Sequence, residues 1–140
     1  LDKEQIRIAA GGKLKISQKD ENLQGAAIEC RINAEDPKQG FKPSPGKITD
    51  LSVPGGPGVR FDGHIYPGYE IPPFYDSMIG KLIVHRKTRE EAIVAMKHAL
   101  TEFVVEGVPT TIPFHLAVMD HTQFIRGQID TTFVESYFGK

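Results

Sequence analysis

Proline and glycine interrupt the middle third of this sequence so often that no long helix fits there. Pro43, Pro45-Gly46 and the run 54–58 (PGGPG) bound short stretches, among them 47–53 and 59–62. Proline fixes φ and lacks an N–H, and glycine permits turns that other residues avoid. Short stretches between such residues are typical of antiparallel strands. We therefore predict an antiparallel β-sheet or a barrel-like layer in this part of the chain.

Residues 26–34 show the clearest strand pattern, with a side-chain period of two. One side would carry Ile28, Cys30, Ile32 and Ala34, and the other Ala27, Glu29, Arg31 and Asn33. This pattern predicts a strand with one buried and one polar face. Asp36-Pro37 ends it, because the residue before a proline avoids the helical region and proline cannot donate a hydrogen bond. A second, mostly apolar run at 78–85 predicts a buried strand.

The last third of the chain carries helical signals. Thr88 is an N-cap candidate whose hydroxyl can accept from the N–H of Glu91. Apolar residues then recur at helical spacing, at Ile93, Met96, Leu100, Phe103 and Val104. Shorter helices are expected at 112–119, 121–126 and 132–137, and one near the N-terminus at 2–10. With strands first and helices after them, the predicted fold class is α+β.

The composition excludes several classes of function. The 140 residues are 39% hydrophobic and 25% charged, which is ordinary for a globular domain. The formal net charge of −1 gives no basic field, so neither nucleic acid nor a membrane is predicted as a partner. A single cysteine, Cys30, cannot form an internal disulfide. The sequence lacks a signal-peptide layout and starts inside a helical pattern, so we interpret it as a piece of a longer protein.

Three kinds of site find little support in the sequence. The five histidines do not pair at metal-binding spacing and Cys30 has no partner, so no metal site is predicted. Cys30 falls on the apolar side of its strand and Ser77 lacks the glycine-flanked elbow of hydrolases, so neither is expected to be a nucleophile. The PGGPG run is interpreted as a rigid turn, because it leads into a strand and its prolines lack the N–H donors that a phosphate loop needs.

Two charged residues remain as candidates, each with two interpretations. Arg31 lies between Glu29 and Asn33 on the polar face of its strand, where Glu29 could orient its guanidinium toward an incoming oxygen. A weak surface ion pair explains the same pattern, and the residues alone favour that plainer reading. Asp76 precedes the apolar run at 78–85, so its carboxylate could pair with an arginine or could cap a turn.

Several motifs, in order, resemble one known family. They are ECRINAEDP (29–37), PSPGKI (43–48), PGGPGVR (54–60), HIYPGY (64–69) and PPFYDSMIGKLI (72–83). Together with the helical C-terminal part they resemble the C-terminal domain of biotin carboxylase over about residues 25–135. RINAEDP with a serine after YD resembles the bacterial or plastid acetyl-CoA carboxylase type. The resemblance implies three segments: a closing helix of a preceding ATP-grasp domain at 1–12, a linker at 13–24 and the family domain at 25–140.

The resemblance implies a ligase that carboxylates carrier-bound biotin with ATP and bicarbonate, the first half-reaction of acetyl-CoA carboxylase in fatty acid synthesis. In such an enzyme Arg31 would hold the ureido oxygen of biotin and contact bicarbonate. Asp76 would be an orienting partner in the same region, and Arg60 would lie near a subunit interface. The same domain of a propionyl-CoA, methylcrotonyl-CoA or pyruvate carboxylase is an alternative, and so is a purely structural or dimerisation module.

The resemblance also implies partners that this chain does not supply. Biotin would arrive on a biotin carboxyl carrier protein, and ATP with Mg²⁺ or Mn²⁺ would bind to upstream domains, so the chain alone is expected to bind no cofactor and to be inactive. The other expected partners are the ATP-grasp domain, carboxyltransferase subunits and a second copy in a homodimer. The expected location is the cytoplasm or the plastid stroma.

Overall fold

The computed structural model describes residues 1–139 and builds them around one three-stranded antiparallel sheet. The strands are β1 (Ala26–Asn33), β2 (Glu35–Asp36), β3 (Lys42–Pro43), β4 (Gly46–Lys47), β5 (Leu51–Ser52), β6 (Val59–Gly63), β7 (Glu70–Ile71), β8 (Met78–Arg86) and β9 (Val104–Val105). The helices are α1 (Asp2–Ala9), α2 (Arg89–Glu102), α3 (Ile112–Asp120), α4 (Thr122–Ile125) and α5 (Phe133–Phe138). Two short 3-10 helices lie at Gln18–Asp20 and Pro37–Gln39.

The main sheet has the order β1-β8-β6, with β8 in the centre. The remaining strands form antiparallel pairs, β2 with β3, β4 with β7 and β5 with β9. These strands do not close into a barrel within residues 1–139, so the open sheet is the observed form of the predicted β layer. The predicted α+β class is confirmed, since antiparallel strands come first and most of the helices follow them.

The two faces of β1 differ as its alternating sequence predicted. Cys30 and Ile32 are buried on the inner face, whereas Glu29 and Arg31 are exposed on the outer face. The inner face packs on α2, whose Met96 is completely buried. The largest fully buried side chains of the core are Ile32, Ile48, Ile79, Leu82, Val84, Met96 and Leu100. Apolar burial on this scale is the main stabilising term of a domain of this size.

Helix α2 begins at the predicted N-cap and ends earlier than its apolar pattern predicted. The Thr88 hydroxyl accepts from the N–H of Glu91 at 3.2 Å, which is the predicted N-cap. The helix ends at Glu102, before the last two residues of the predicted apolar stripe, Phe103 and Val104. Val104 instead pairs with Ser52 in the β5–β9 ladder and is partly exposed. Gly107, which follows that strand, has φ +99°, and a Cβ there would clash with a backbone carbonyl oxygen.

The PGGPG run forms the turn that joins β5 to β6. Val59 N–H donates to the Gly56 carbonyl at 3.1 Å, and His85 N–H donates to the Gly58 carbonyl at 2.9 Å. The glycines at 56 and 58 both have positive φ. The run therefore serves as a turn bonded to the central strand, as its sequence predicted.

Helix α1 has no buried residue, and its Ile6 side chain is 70% exposed. The segment boundaries at 1–12, 13–24 and 25–140 stay predictions.

No helix within residues 1–139 combines the length and the apolar character that crossing a bilayer requires.

Replacement of Leu82 by alanine is expected to destabilise the domain by about 2–5 kcal/mol, because it would leave a cavity in the buried core next to the central strand β8. Leu82 is fully buried and lies between Cys30 and Phe61 across the sheet. Urea denaturation measures the change, and Leu23→Ala is the control, since Leu23 is 91% exposed. Equal midpoints for the two variants would contradict this account of the core.

Cys30 is expected to resist alkylation in the folded protein. Burial raises the pKa of its thiol to about 12, and the nearby Glu29 carboxylate adds to that rise. Because the thiolate is the reactive form, iodoacetamide at pH 8 should label folded protein more than about 10²-fold more slowly than protein in urea. Comparable rates in the two conditions would show that Cys30 is accessible.

Candidate functional site

Arg31 projects from the outer face of the sheet in a row of charged side chains. Its Cα pairs with that of Lys81 on β8, which in turn pairs with that of Asp62 on β6. In the neighbouring row Ile83 separates Glu29 from Arg60. Directly opposite residues in antiparallel strands have Cβ atoms about 5 Å apart, so Arg31 and Lys81 are close like charges. Such a pair opposes folding and makes this part of the face attractive to an anion.

The Arg31 guanidinium has no acceptor among residues 1–139. It makes no side-chain hydrogen bond and no ion pair there, either with Glu29, the candidate orienting residue, or with another side chain. Residues two apart on one strand share a face and can pair, as Arg60 and Asp62 do on β6. Glu29 and Arg31 form no such pair, so the whole donor fork of Arg31 is open to an incoming oxygen.

The backbone that carries Arg31 is fixed by the start of α3. His115 Nε2 donates to the Arg31 carbonyl oxygen at 2.8 Å, and the Thr111 hydroxyl donates to the same oxygen at 3.2 Å. Thr111 also pairs with Asn33 in both directions, since its hydroxyl accepts from Asn33 N–H at 3.0 Å and its own N–H donates to the Asn33 carbonyl at 3.0 Å. Because β8 binds the other edge, this part of β1 is held on both sides.

His115 acts in this arrangement as a neutral donor. Burial lowers its pKa, and the hydrogen bond to the Arg31 carbonyl opposes that effect only in part. A carbonyl can only accept, so the Nε2 atom carries the proton.

No sequence pattern assigned a role to His115 or to Lys81. The polar residue among the apolar ones of β8 was the available signal for Lys81, whereas nothing in the local pattern pointed to His115.

Asp76 lies at the same end of the sheet as Arg31. Its Oδ1 atom accepts from the N–H of Met78 at 2.9 Å, and Met78 is the cross-strand partner of Asn33. The side chain is exposed and forms no ion pair with an arginine within residues 1–139. The turn-capping interpretation therefore describes its contacts in this domain, and its role as an orienting partner stays a proposal.

Arg60 lies on the same outer face but on the far strand of the sheet. Its guanidinium contacts the Asp62 carboxylate at 3.1 Å, and both side chains are more than half exposed. An exposed ion pair of this kind contributes at most about 1 kcal/mol. Arg60 is thus free to take part in an interface, although its contacts within the domain do not require one.

Arg31 and Asp76 are both exposed in the described part of the chain. Neither lines the clefts of about 660 and 520 Å³ beside Arg86, nor three smaller ones. Within residues 1–139 no three His, Cys, Asp or Glu side chains lie close enough to hold a metal ion. An enclosed site around Arg31 would therefore need a second surface laid over this face of the sheet.

Comparison with known proteins gives the same family over nearly the whole chain. The sequence model of the family described as "Biotin carboxylase C-terminal domain" matches residues 29–136. Biotin carboxylase 1 of Bacillus subtilis is 56% identical over 98% of this chain and 30% of its own length. One of the pyruvate carboxylase subunits of Methanothermobacter thermautotrophicus is 58% identical over 98% of this chain and 28% of its own length.

A solved structure agrees with the sequence comparison. The biotin carboxylase domain of the Hydrogenobacter thermophilus 2-oxoglutarate carboxylase, a dimer in complex with MgADP, ADP and bicarbonate, superposes with a TM-score of 0.90 at 48% identity. The match covers 95% of this chain and 29% of that one. This chain thus spans less than a third of the length of the relatives it matches. On the family match and these identities, the chain belongs to the biotin carboxylase C-terminal domain family.

Proposed function

We propose that this chain serves a biotin carboxylase by supplying Arg31 to the step in which biotin accepts a carboxyl group from bicarbonate in an ATP-dependent reaction. One observation carries the proposal: Arg31 is exposed and has no acceptor among residues 1–139, while its backbone is held at both edges of β1. The backbone of Arg31 is thus held in place while its guanidinium remains available to a ligand.

The chemistry of the step suits a guanidinium. When biotin is carboxylated, its ureido nitrogen loses a proton and negative charge develops on the ureido oxygen. Arg31 can donate to that oxygen from a planar fork that stays protonated at any working pH, so it stabilises the charge without giving up its own proton. Preorganised donors of this kind contribute about 3–4 kcal/mol to a transition state. Lys81 next to Arg31 adds positive potential for bicarbonate and for the ureido oxygen.

The rest of the site would come from outside this chain. We propose that an ATP-grasp domain of the same enzyme covers the outer face, binds ATP with Mg²⁺ or Mn²⁺ and encloses Arg31 and Asp76. The Hydrogenobacter relative was crystallised with MgADP and bicarbonate, which supports ATP and bicarbonate as ligands of the intact enzyme. Biotin would be presented by a biotin carboxyl carrier protein and passed on to carboxyltransferase subunits. A homodimer with Arg60 near its interface is in keeping with the dimeric state of that relative.

The acceptor of the carboxyl group is proposed to be acetyl-CoA, in fatty acid synthesis, in the cytoplasm or the plastid stroma. The RINAEDP motif and Ser77 support the acetyl-CoA carboxylase type. The strong identity to a pyruvate carboxylase subunit keeps pyruvate as the alternative acceptor. A structural or dimerisation module is the other candidate function, and the turn-capping contact of Asp76 favours it.

Replacement of Arg31 by alanine in the intact carboxylase is expected to lower kcat/KM for biotin by about 10²–10³-fold, because a donor to the developing charge is lost. Thermal stability should change little, since the side chain has no partner in the domain. Arg126→Ala is the matched control, because Arg126 is an exposed arginine at the end of α4. A loss below about threefold for Arg31→Ala would favour the structural module.

The 140-residue chain by itself is expected to show no ATP turnover. The proposal places ATP and its metal ion on another domain, and residues 1–139 gather no cluster of metal-binding side chains. Phosphate release measured with ATP, Mg²⁺ and bicarbonate should equal the blank with and without free biotin. Biotin-dependent phosphate release by the chain alone would contradict this division between domains.

A further inference from the structure

An irregularity in the main sheet lies next to Arg31 in the sequence of β1. The ladder between β1 and β8 shifts its register between Ile32 and Asn33: Ile32 pairs with Gly80, but Asn33 pairs with Met78. Ile79 is therefore an extra residue on β8, and its side chain is buried in the core. Bulges of this kind bend a strand, increase its twist and change the direction of nearby side chains. The geometry of this bulge thus influences where Arg31 points.

A single carboxylate ties the two sides of the bulge together. Glu35 Oε1 accepts from Asn33 Nδ2 at 3.0 Å and also from the hydroxyl of Ser77. A backbone bond runs beside it, from Ala34 N–H to the Ser77 carbonyl at 2.8 Å. Hydrogen bonds to an ionised carboxylate are stronger than those between neutral groups. We call Asn33, Glu35 and Ser77 the carboxylate bridge.

The carboxylate bridge joins the two segments that carry the candidate site. Asn33 follows Arg31 by two positions on β1, and Ser77 directly follows Asp76. Asp76 is itself fixed by its bond from Met78 N–H, the residue paired with Asn33. Glu35 and Ser77 are 42 positions apart in sequence. Their hydrogen bond therefore fixes the distance between the end of β1 and the segment before β8, which the connecting chain does not fix.

The Asn33 side chain joins the bridge through its amide nitrogen alone. Asn33 Oδ1 is buried and has no hydrogen-bond partner among residues 1–139. A buried acceptor without a partner opposes folding, whereas an apolar side chain of similar size at this position would leave none. The asparagine amide group is retained here with only its nitrogen in use, on Glu35. The hydrogen bond to Glu35 is thus the side-chain contact that orients Asn33 within residues 1–139.

We infer that Glu35 and Ser77 are positioning residues for the carboxylation step. They touch no substrate, and they fix the orientation of the Arg31 side chain relative to the Asp76 carboxylate. The inference rests on the proposed function of Arg31. It gives a physical reason for two residues of the ECRINAEDP and YDSM motifs, Glu35 and Ser77, beyond Arg31 and Asp76 themselves.

The test uses the intact carboxylase with free biotin as the substrate. Ser77→Ala removes the donor, and Glu35→Gln keeps the shape of the side chain but not its charge. Each is expected to lower kcat by about tenfold with the KM for ATP unchanged, because a displaced reacting group slows the chemistry without weakening binding elsewhere. Ser77→Thr, which keeps the hydroxyl, should restore most of the rate. Ser44→Ala is the matched control, since Ser44 is also partly buried but its hydroxyl bonds only to the nearby Lys42 carbonyl.

The decisive comparison repeats Ser77→Ala and Glu35→Gln in the background of Arg31→Ala. Residues that act through Arg31 should have no further effect there, within about twofold, because coupled residues are not additive. Equal losses in both backgrounds, or no loss from either variant in the wild-type background, would overturn the inference while leaving the role of Arg31 intact. An Arg31→Ala enzyme with near-normal activity would instead remove the proposed function, and the inference with it.

Discussion

The arrangement of this domain depends on the hydrogen bonding of β1 at both of its edges. The central strand binds one edge along its whole length, and the Thr111 and His115 side chains bind the other at Arg31 and Asn33. Side chains alternate along a strand, so a slip of one residue would turn Arg31 into the core and Ile32 out to solvent. Holding the backbone at this point therefore decides which group the outer face presents. The fixed backbone also limits the freedom that Arg31 has to lose when it binds a ligand.

The charges on the outer face oppose folding and favour a ligand. Arg31 and Lys81 are adjacent cations, and the nearest acidic side chain in their row, Asp62, is already bonded to Arg60. A surface selected only for stability would place an acidic residue opposite Arg31. In the proposed function these cations would face an anion bound between this face and another domain.

Much of this structure follows from local sequence patterns, and the site contacts do not. The alternation of residues 26–34 predicted both faces of β1, and the Thr88 cap predicted where α2 begins. The same pattern suggested a Glu29–Arg31 pair that is absent, because it shows which residues share a face and not whether their side chains meet. The contact of Thr111 with Arg31 spans 80 positions and that of Ser77 with Glu35 spans 42, so no periodicity could reveal them. The residues alone favour a surface charge for Arg31, and only the ordered motifs indicate a role in a site.

The central claim is that Arg31 binds the ureido oxygen of biotin from a face that another domain completes. A crystal structure of the intact carboxylase with biotin and bicarbonate tests it most directly, by the distance between the Arg31 guanidinium nitrogens and that oxygen. We predict a separation of about 2.7–3.2 Å, with Asp76 in the same enclosed site. Biotin bound elsewhere, with Arg31 paired to an acidic residue of a neighbouring domain or subunit, would contradict the account.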